Sequence, residues 1–404
     1  MNRNNNEKPG SSGMTVGINA FNVRSKSDYR YANKLIECLG GLAEDRAFIL
    51  IGREGQEDYF IPAPVNFKYR FYKLYNPVSE TVNPRIDKLF DDVLAEFGCD
   101  LLLEFGLGGA SDIAFPKVSI INSFEMFGSG NIDGKSSCSA RKLKLINKTA
   151  VNNIKKSRGI IFSSPYLQDE ISRIAPMAYL KTTSIYLGAP DSGEKAGQKV
   201  CSKYGIDIRY LISLISSAGM KESLRMLHAY CQAFEKGPDA PDLVLVGADE
   251  NPEDVCVLLE AINKLPLNSR IKYVGTIPDE DFSVLLGNAR VLVFPHEIFN
   301  SVETLVTAMN CGCAILCANN NKPQEITDGA ALYFNPENLS DLAFKLKLIV
   351  DDEELAGFLK KQSEIRAALF SREEIASRLM DFLDDVVVDF KNAAVAKSPE
   401  NTVA

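Results

Sequence analysis

The sequence predicts an α/β protein built from two doubly wound domains. Short apolar strands alternate with amphipathic helices along most of the chain, which is typical of parallel sheets covered by helices. At 404 residues, the chain is too long for one ordinary core and fits two domains. A polar, Gly-rich stretch, Gly188–Gly197, separates two such alternations and is the predicted linker.

The first half begins with an apolar strand after a polar leader, and we expect residues 1–13 to be disordered or partly derived from cloning. Pro84 stands in a first-turn position, where proline favours a helix start. The aromatic-rich chain between residues 59 and 75 is predicted to be irregular. The predicted strands are Thr15–Phe21, Ala47–Ile51, Asp100–Phe105, Val118–Ile121, Gly159–Ser163 and Thr182–Leu187, and the predicted helices are Tyr29–Leu39, Pro84–Phe97, Arg141–Ser157 and Pro165–Ile174.

The second half alternates more regularly, and we expect a frayed tail over Asn392–Ala404. Its apolar runs predict the strands Tyr210–Ile215, Leu243–Val246, Ile271–Val274, Val291–Phe294, Ala314–Ala318 and Ala331–Phe334. Its amphipathic runs predict the helices Glu222–Glu235, Glu253–Lys264, Asp279–Asn288, Ser301–Asn310, Leu339–Val350, Glu353–Ala367 and Glu373–Phe390.

Composition excludes several classes of protein. The chain is 46% hydrophobic and 24% charged, as soluble globular proteins are. A net charge of −8 argues against a general nucleic-acid binder. We find no apolar run long enough to span a membrane and no apolar signal core, so we expect a cytoplasmic protein.

The nine cysteines lie mostly in apolar segments, which predicts reduced core thiols. Cys311, Cys313 and Cys317 are spaced closely enough to suggest a metal site. However, the chain contains only two histidines and no second CxxC pair to complete a zinc set. We therefore expect no metal and no other bound cofactor.

The stretch from Val291 to Pro336 reads as strand, helix and strand, which is a βαβ unit. The polar turn Pro295–Asn300 then lies at the carboxyl edge of a parallel sheet, where open α/β sheets bind ligands. The helix start at Ser301–Thr304 offers free backbone N–H groups and the positive end of a dipole. Both features suit a phosphate.

This stretch resembles the donor-binding segment of retaining GT-B glycosyltransferases, particularly glycosyltransferase family 4. The matching positions are Glu297, Phe299, Ala308-Met309, Cys311-Gly312, Glu325 and Ala330–Phe334. In the first half, Val118–Asn122 and Gly159–Ser164 resemble members of that family that mostly build bacterial surface polysaccharides. The resemblance implies two Rossmann-like domains, residues 14–188 on the acceptor side and residues 189–370 on the donor side, facing a cleft. It also implies that the final helix, residues 371–391, crosses back onto the first domain.

The same resemblance implies a nucleotide-sugar donor site that needs no metal. Lys221 matches the Lys that stabilises the departing diphosphate, whereas Ser216 or a neighbouring small residue stands where an Arg is expected. Glu297 matches an acid near the donor sugar. Counting back from Ala308 puts Thr307 at the position that binds the ribose, and Glu303, on the same helix face, could reach it instead. The implied donor-binding residues are Ser301, Val302, Glu303, Thr304, Thr307, Gly275, Thr276 and Ile277.

Each of these residues also has a structural interpretation. Lys221 is equally an exposed residue at a helix start, and Glu303 is equally a first-turn acid favoured by the helix dipole. On the acceptor side, the resemblance points to Asn122, with Glu125 as the nearby carboxylate, although a turn Asn can simply cap a strand. Gly108 and Gly109 are interpreted as a tight turn that lines the cleft.

The sequence leaves three function classes open. The first is an active retaining glycosyltransferase that uses a UDP- or GDP-sugar and a glycan or lipid-linked acceptor. The second is a catalytically weak or inactive GT-B protein that serves a partner transferase or binds a glycan. The third, a two-domain sugar-binding protein, is disfavoured by the lack of a secretion signal. The basic helix Arg141–Lys156 either lies on anionic lipid at the inner face of the plasma membrane or is a solvated face.

Overall fold

A computed structural model describes residues 13–23, 26–42, 46–73, 84–106, 112–122, 150–174, 180–186, 197–207, 210–215, 219–235, 240–247, 252–296 and 301–396. The chain divides into two compact units. Unit 1 contains Met1–Leu187 together with Arg372–Ala404, and unit 2 contains Gly188–Ser371. The chain therefore returns to unit 1 after completing unit 2.

Unit 1 is organised around a parallel sheet of seven strands in the order β3-β2-β1-β4-β5-β6-β7. The strands are β1 Thr15–Asn19, β2 Ala47–Arg53, β3 Phe67–Tyr72, β4 Leu101–Phe105, β5 Lys117–Ile121, β6 Gly159–Phe162 and β7 Lys181–Ser184. The helices are α1 Lys26–Leu42, α2 Pro84–Phe97, α3 Pro165–Ile174 and the C-terminal α12 Arg372–Ala396. Residues 150–156 are also helical.

Helix α12 packs into the apolar core of unit 1. Ile375, Leu379 and Leu383 are buried in the same cluster as residues of β1 and α1. Arg46 holds this helix with a bidentate bond to Asp384, in which Nη1 and Nη2 each lie 2.7 Å from a carboxylate oxygen. The predicted return of the last helix to the first domain is confirmed by these contacts. The helix is longer than predicted and reaches Ala396, so the prediction of a frayed tail from Asn392 is wrong for residues 392–396.

A buried ion pair crosses the centre of the unit 1 sheet. Lys117 on β5 places Nζ 3.1 Å from Oε2 of Glu104 on β4, with side chains 2% and 0% exposed. Asn19 on β1 donates from Nδ2 to Oε1 of Glu104 at 3.0 Å. Buried charges are tolerated where they are paired and hydrogen-bonded in this way. Sequence reading missed this pair because both residues lie in runs that are otherwise apolar.

Unit 2 contains a second parallel sheet, of six strands in the order β10-β9-β8-β11-β12-β13. The strands are β8 Tyr210–Ile215, β9 Asp242–Gly247, β10 Ile271–Gly275, β11 Val291–Phe294, β12 Ala314–Ala318 and β13 Leu332–Phe334. The helices are α4 Gly197–Lys203, α5 Met220–Phe234, α6 Pro252–Asn263, α7 Asp279–Asn288, α8 Ser301–Asn310, α9 Asn321–Thr327, α10 Leu339–Asp351 and α11 Glu353–Ala367.

Several segments differ from the sequence prediction, among them these three. The aromatic stretch predicted to be irregular contains the edge strand β3, Phe67–Tyr72. Gly197, assigned to the linker, begins α4, while residues 187–196 lie outside the described part of the chain. The predicted strand Thr182–Leu187 is Lys181–Ser184. Within the described residues, no helix is long and apolar enough to cross a membrane.

Candidate functional site

The chain of unit 2 changes direction across the sheet between β8 and β11. From β8 it runs outward through β9 and β10, and it then crosses back to build β11, β12 and β13 on the other side of β8. Strands β8 and β11 pair in parallel, with Leu211 opposite Val291. The carboxyl ends of two such strands form a crevice, and ligands of open α/β sheets bind there.

Helix α5 begins at this crevice, directly after β8. Its N-cap is Gly219, which supplies no side-chain cap, so the first N–H groups of the helix need another acceptor. Lys221, the second residue of α5, is exposed. The start of α5 therefore combines a helix dipole with a cationic side chain. The predicted Arg position, Ser216, lies outside the described residues.

Helix α8 begins on the other side of the crevice, after β11. It starts at Ser301, the predicted position, so the backbone of Ser301 and Val302 forms its first turn. Glu303 is half-buried and Thr304 is buried. The preceding loop, which contains Glu297, lies outside the described residues.

Thr307 is less available to a ribose than the sequence predicted. Its hydroxyl donates to the backbone carbonyl of Glu303 at 2.7 Å, and the residue is 6% exposed. The side chain is therefore occupied within its own helix. Glu303, one turn earlier, is the more exposed of the two, and its role as the alternative ribose ligand stays a prediction.

Gly275 is the last residue of β10, and Thr276 and Ile277 follow it. Strand β10 lies two strands from β8. Gly275 has a φ of +70°, a value in the left-handed region that favours glycine. Thr276 is exposed. These residues therefore lie on the same edge of the sheet as α5 and α8, but not directly at the crevice.

His296 lies in the crevice, two residues after β11. Sequence reading weighed the histidines only as zinc ligands and missed His296 as a residue of this site. It is 4% exposed, and its Nε2 lies 2.8 Å from the carbonyl oxygen of Leu214 on β8. Its Nδ1 is buried and has no hydrogen-bond partner among the described residues. Burial lowers the pKa of His296 below its ordinary value, although the bond to Leu214 and the charge of Glu222 act in the opposite direction.

A methyl group at Gly219 is expected to disturb this arrangement. A Cβ there would lie 2.2 Å from Nδ1 of His296, closer than two such atoms can approach. We expect Gly219→Ala to lower the free energy of unfolding by about 1–3 kcal/mol, because a buried ring must move. Gly357→Ala is the matched control, since no atom lies within 4 Å of a Cβ at that position in α11.

Chemical denaturation of the two variants checks this prediction. Gly357→Ala should be neutral or stabilising by up to about 1 kcal/mol, as is usual when alanine replaces a helical glycine. Equal stability of Gly219→Ala and Gly357→Ala would contradict the close packing of His296 on Gly219.

In unit 1, Asn122 follows β5 at the carboxyl edge of its sheet. Its Nδ2 lies 3.4 Å from Oδ1 of Asp28, which is in the first turn of α1. Sequence reading missed Asp28, although an acid in the first turn of the helix after β1 was a usable signal. Gly108, Gly109 and Glu125 lie outside the described residues.

The cysteines that the structure describes form no disulfide. Burial raises the pKa of Cys313 to about 12 and also raises that of Cys317, so both thiols are protonated core groups at neutral pH. In the part of the chain that is described, three or more His, Cys, Asp or Glu side chains nowhere cluster in a way that could hold a metal.

The two sheets and their crossovers have the fold of GT-B glycosyltransferases. Sucrose-phosphate synthase from Thermosynechococcus elongatus superposes with a TM-score of 0.68 at 15% identity, over 93% of this chain and 100% of that one. The Anabaena protein HepE, in complex with UDP and glucose, superposes with a TM-score of 0.64 at 16% identity, over 92% of this chain and 100% of that one. At these identities the likeness establishes the fold.

Residues 214–366 match the family model of glycosyl transferases group 1. The resemblance inferred from Val291–Pro336 is therefore confirmed for this part of unit 2, at the level of glycosyl transferases group 1.

Two bacterial glycosyltransferases match this chain over part of its length. The Escherichia coli O-antigen chain mannosyltransferase B is 23% identical over 167 residues, covering 40% of this chain and 43% of that protein. The Campylobacter jejuni N,N'-diacetylbacillosaminyl-diphospho-undecaprenol alpha-1,3-N-acetylgalactosaminyltransferase is 30% identical over 152 residues, covering 37% of this chain and 38% of that protein. The alignments thus span less than half the length of either relative.

Proposed function

We propose that this protein is a retaining glycosyltransferase that moves a sugar from a UDP- or GDP-sugar to a glycan or a lipid-linked acceptor. The observation that carries the proposal is the crevice between β8 and β11, where one helix begins after the carboxyl end of each of these paired strands. The start of α5 also carries Lys221. Helix starts and a lysine are what a diphosphate requires.

The chemistry at this site is stabilisation of the leaving group. As the bond between the sugar and the diphosphate breaks, negative charge grows on the phosphate oxygens. Lys221 and the first N–H groups of α5 and α8 would stabilise that charge, and preorganised donors of this kind supply much of the catalysis in such reactions. We propose that these groups act without a metal ion, so that a chelator such as EDTA should leave the transfer rate unchanged. In retaining transfer, the donor phosphate itself can accept the proton of the acceptor hydroxyl.

The printed names of related proteins support this class of donor and acceptor. HepE was crystallised with UDP and glucose, which favours a nucleotide sugar as the donor. One relative is named as acting on a diphospho-undecaprenol-linked sugar, and another as an O-antigen chain enzyme. Together they favour a role in surface polysaccharide synthesis.

On the acceptor side, the proposal rests on Asn122 and Asp28 in unit 1, whose side chains approach within 3.4 Å. An amide and a carboxylate can together orient a sugar hydroxyl.

The predicted basic helix ends within the described residues, where Lys155 and Lys156 are exposed. Lys156 pairs with Asp112 at 3.1 Å. We propose peripheral contact of this helix with anionic lipid on the cytoplasmic face of the membrane.

A second function is suggested by the missing cation, since Ser216 or a neighbouring small residue stands where the resemblance places an Arg. Loss of one such group costs on the order of a hundredfold in rate. A GT-B protein with that loss could serve as the partner of another transferase or as a glycan-binding module.

The deciding experiment is a transfer assay with defined substrates. The protein is incubated with UDP- and GDP-sugars and a polyprenyl-diphosphate-linked saccharide, and nucleotide release and the glycolipid product are followed. We expect one donor to give product whose anomeric coupling constant, measured by NMR, shows retention of configuration. Inversion would contradict the retaining mechanism. Nucleotide binding without turnover of any donor would favour the partner function.

A further inference from the structure

His296 lies between the end of β8 and the start of α5, and one of its ring nitrogens has no hydrogen-bond partner among the described residues. Its Nε2 bonds the carbonyl oxygen of Leu214 at 2.8 Å. A carbonyl can only accept, so Nε2 carries the proton and the neutral ring keeps a bare lone pair on Nδ1. Pro295 precedes it and has no N–H, so the ring also continues the bonding between β8 and β11.

The bare Nδ1 points to the start of α5. A Cβ at Gly219, the N-cap of α5, would lie 2.2 Å from it. The atom is buried without a hydrogen-bond partner among the described residues. An unsatisfied buried acceptor is costly and uncommon in native proteins. Here it lies directly beneath the helix start that the proposed function assigns to a diphosphate.

The surroundings of the ring favour a neutral state when the site is empty. The adjoining parts of β8 and β11, Ser213–Ile215 and Val293–Phe294, contain no ionisable side chain. The ring of Phe294 packs edge-on at 5.7 Å between centroids. Of the ionisable side chains that the structure describes around it, Glu222 on α5 acts on the ring and favours the charged form, but burial outweighs it.

We propose that His296 takes up a proton at Nδ1 when a nucleoside diphosphate occupies the start of α5, and that it thereby supplies positive charge beneath that helix start. This inference rests on the proposed function. His296 acts beneath the helix start and through it, as a positioning residue. No bond to the substrate breaks or forms at His296, since one proton is taken from solvent on binding and returned on release.

The sign of the resulting pH dependence follows from linkage. A diphosphate stabilises the imidazolium, so the pKa of His296 is higher in the complex than in the free protein. Nucleotide-sugar affinity is then greatest below the pKa of the free protein and falls as pH rises through the pKa of the complex. An opposite charge within about 4–6 Å moves a pKa by roughly one to three pH units, so the dissociation constant should change at least about tenfold.

The chain makes a direct test practical because it contains only two histidines. His228 lies exposed on α5, and His228→Gln leaves His296 as the single imidazole. The imidazole Cε1–H resonance of this variant is titrated by NMR from pH 5 to pH 8, with and without a saturating UDP- or GDP-sugar. A nucleotide sugar is the chosen ligand because both of its phosphates are esterified, so it lacks the phosphate proton that titrates near pH 6.

We expect the His296 pKa to rise by about one unit or more on binding. We also expect the dissociation constant of His228→Gln to increase with pH, and that of His296→Gln to be independent of pH. The Gln side chain can still donate to Leu214. An unchanged or lower pKa in the complex would overturn the inference, even where the nucleotide sugar binds. If His296→Gln does not fold, the NMR titration alone decides. If no nucleotide sugar binds at any pH, the proposed function fails first and the inference fails with it.

Discussion

Replacing Lys117 with methionine is expected to lower the free energy of unfolding by about 3–5 kcal/mol, the usual cost of removing one partner from a buried ion pair. Lys117 and Glu104 are 2% and 0% exposed, and their charged atoms lie 3.1 Å apart. The variant removes this cation while the carboxylate stays in the interior of the unit 1 sheet. Chemical denaturation followed by circular dichroism measures the effect as a shift of the unfolding midpoint.

The matched control is the double variant Lys117→Met with Glu104→Gln. Glutamine keeps an oxygen that accepts the bond donated by Asn19, and the double variant removes both charges. It should recover most of the lost stability, since replacing a buried pair by neutral groups is often close to neutral. If the single and double variants are equally unstable, the loss comes from packing and not from an uncompensated charge.

The second large effect concerns catalysis. Lys221→Ala should reduce the sugar-transfer rate by about a hundredfold, because removing one preorganised donor from a developing oxyanion costs about that much. The residue is exposed at the second position of α5, so the free energy of unfolding should change by less than about 0.5 kcal/mol. Initial-rate kinetics with a saturating acceptor measure the change in transfer rate, and chemical denaturation measures the change in the free energy of unfolding.

Lys361→Ala provides the comparison for that experiment. Lys361 is likewise exposed on a helix, α11, and its removal changes the net charge by the same amount. Its transfer rate should equal that of the unmodified protein. An unchanged rate in Lys221→Ala would contradict the placement of the diphosphate at the start of α5.

Most of the fold of unit 2 was predictable from its hydrophobic periodicity and from the glycine, proline and polar residues between the elements. Four elements have the bounds that were predicted: β8, β11, β12 and α8. Each strand is a single apolar run, α8 is an amphipathic helix, and glycine, proline or polar residues end them. β3 was missed because its alternation is aromatic and basic, and only Phe67 of this strand is buried. What fixes it is tertiary: Phe67 stacks on Phe48 of β2, with ring centroids 4.7 Å apart.

The candidate site was less predictable than the fold. Helix starts can be read from sequence because they follow from local backbone rules, so Ser301 was placed correctly. The environment of His296 cannot be read from sequence, because it depends on Leu214 and Gly219. These two residues lie far away in sequence and meet His296 only through the pairing of β8 with β11. Asp28 was missed for the same reason, because its neighbour Asn122 belongs to another strand end.

The measurement that tests the central claim most directly is thermal stability with UDP, GDP and their sugars. A ligand present at about a hundred times its dissociation constant adds roughly 2.7 kcal/mol to the free energy of unfolding. We predict that one nucleotide family raises the melting temperature, and that the shift is reduced in Lys221→Ala and kept in Lys361→Ala. No shift with any nucleotide, or an equal shift in both variants, would contradict a donor site between β8 and β11.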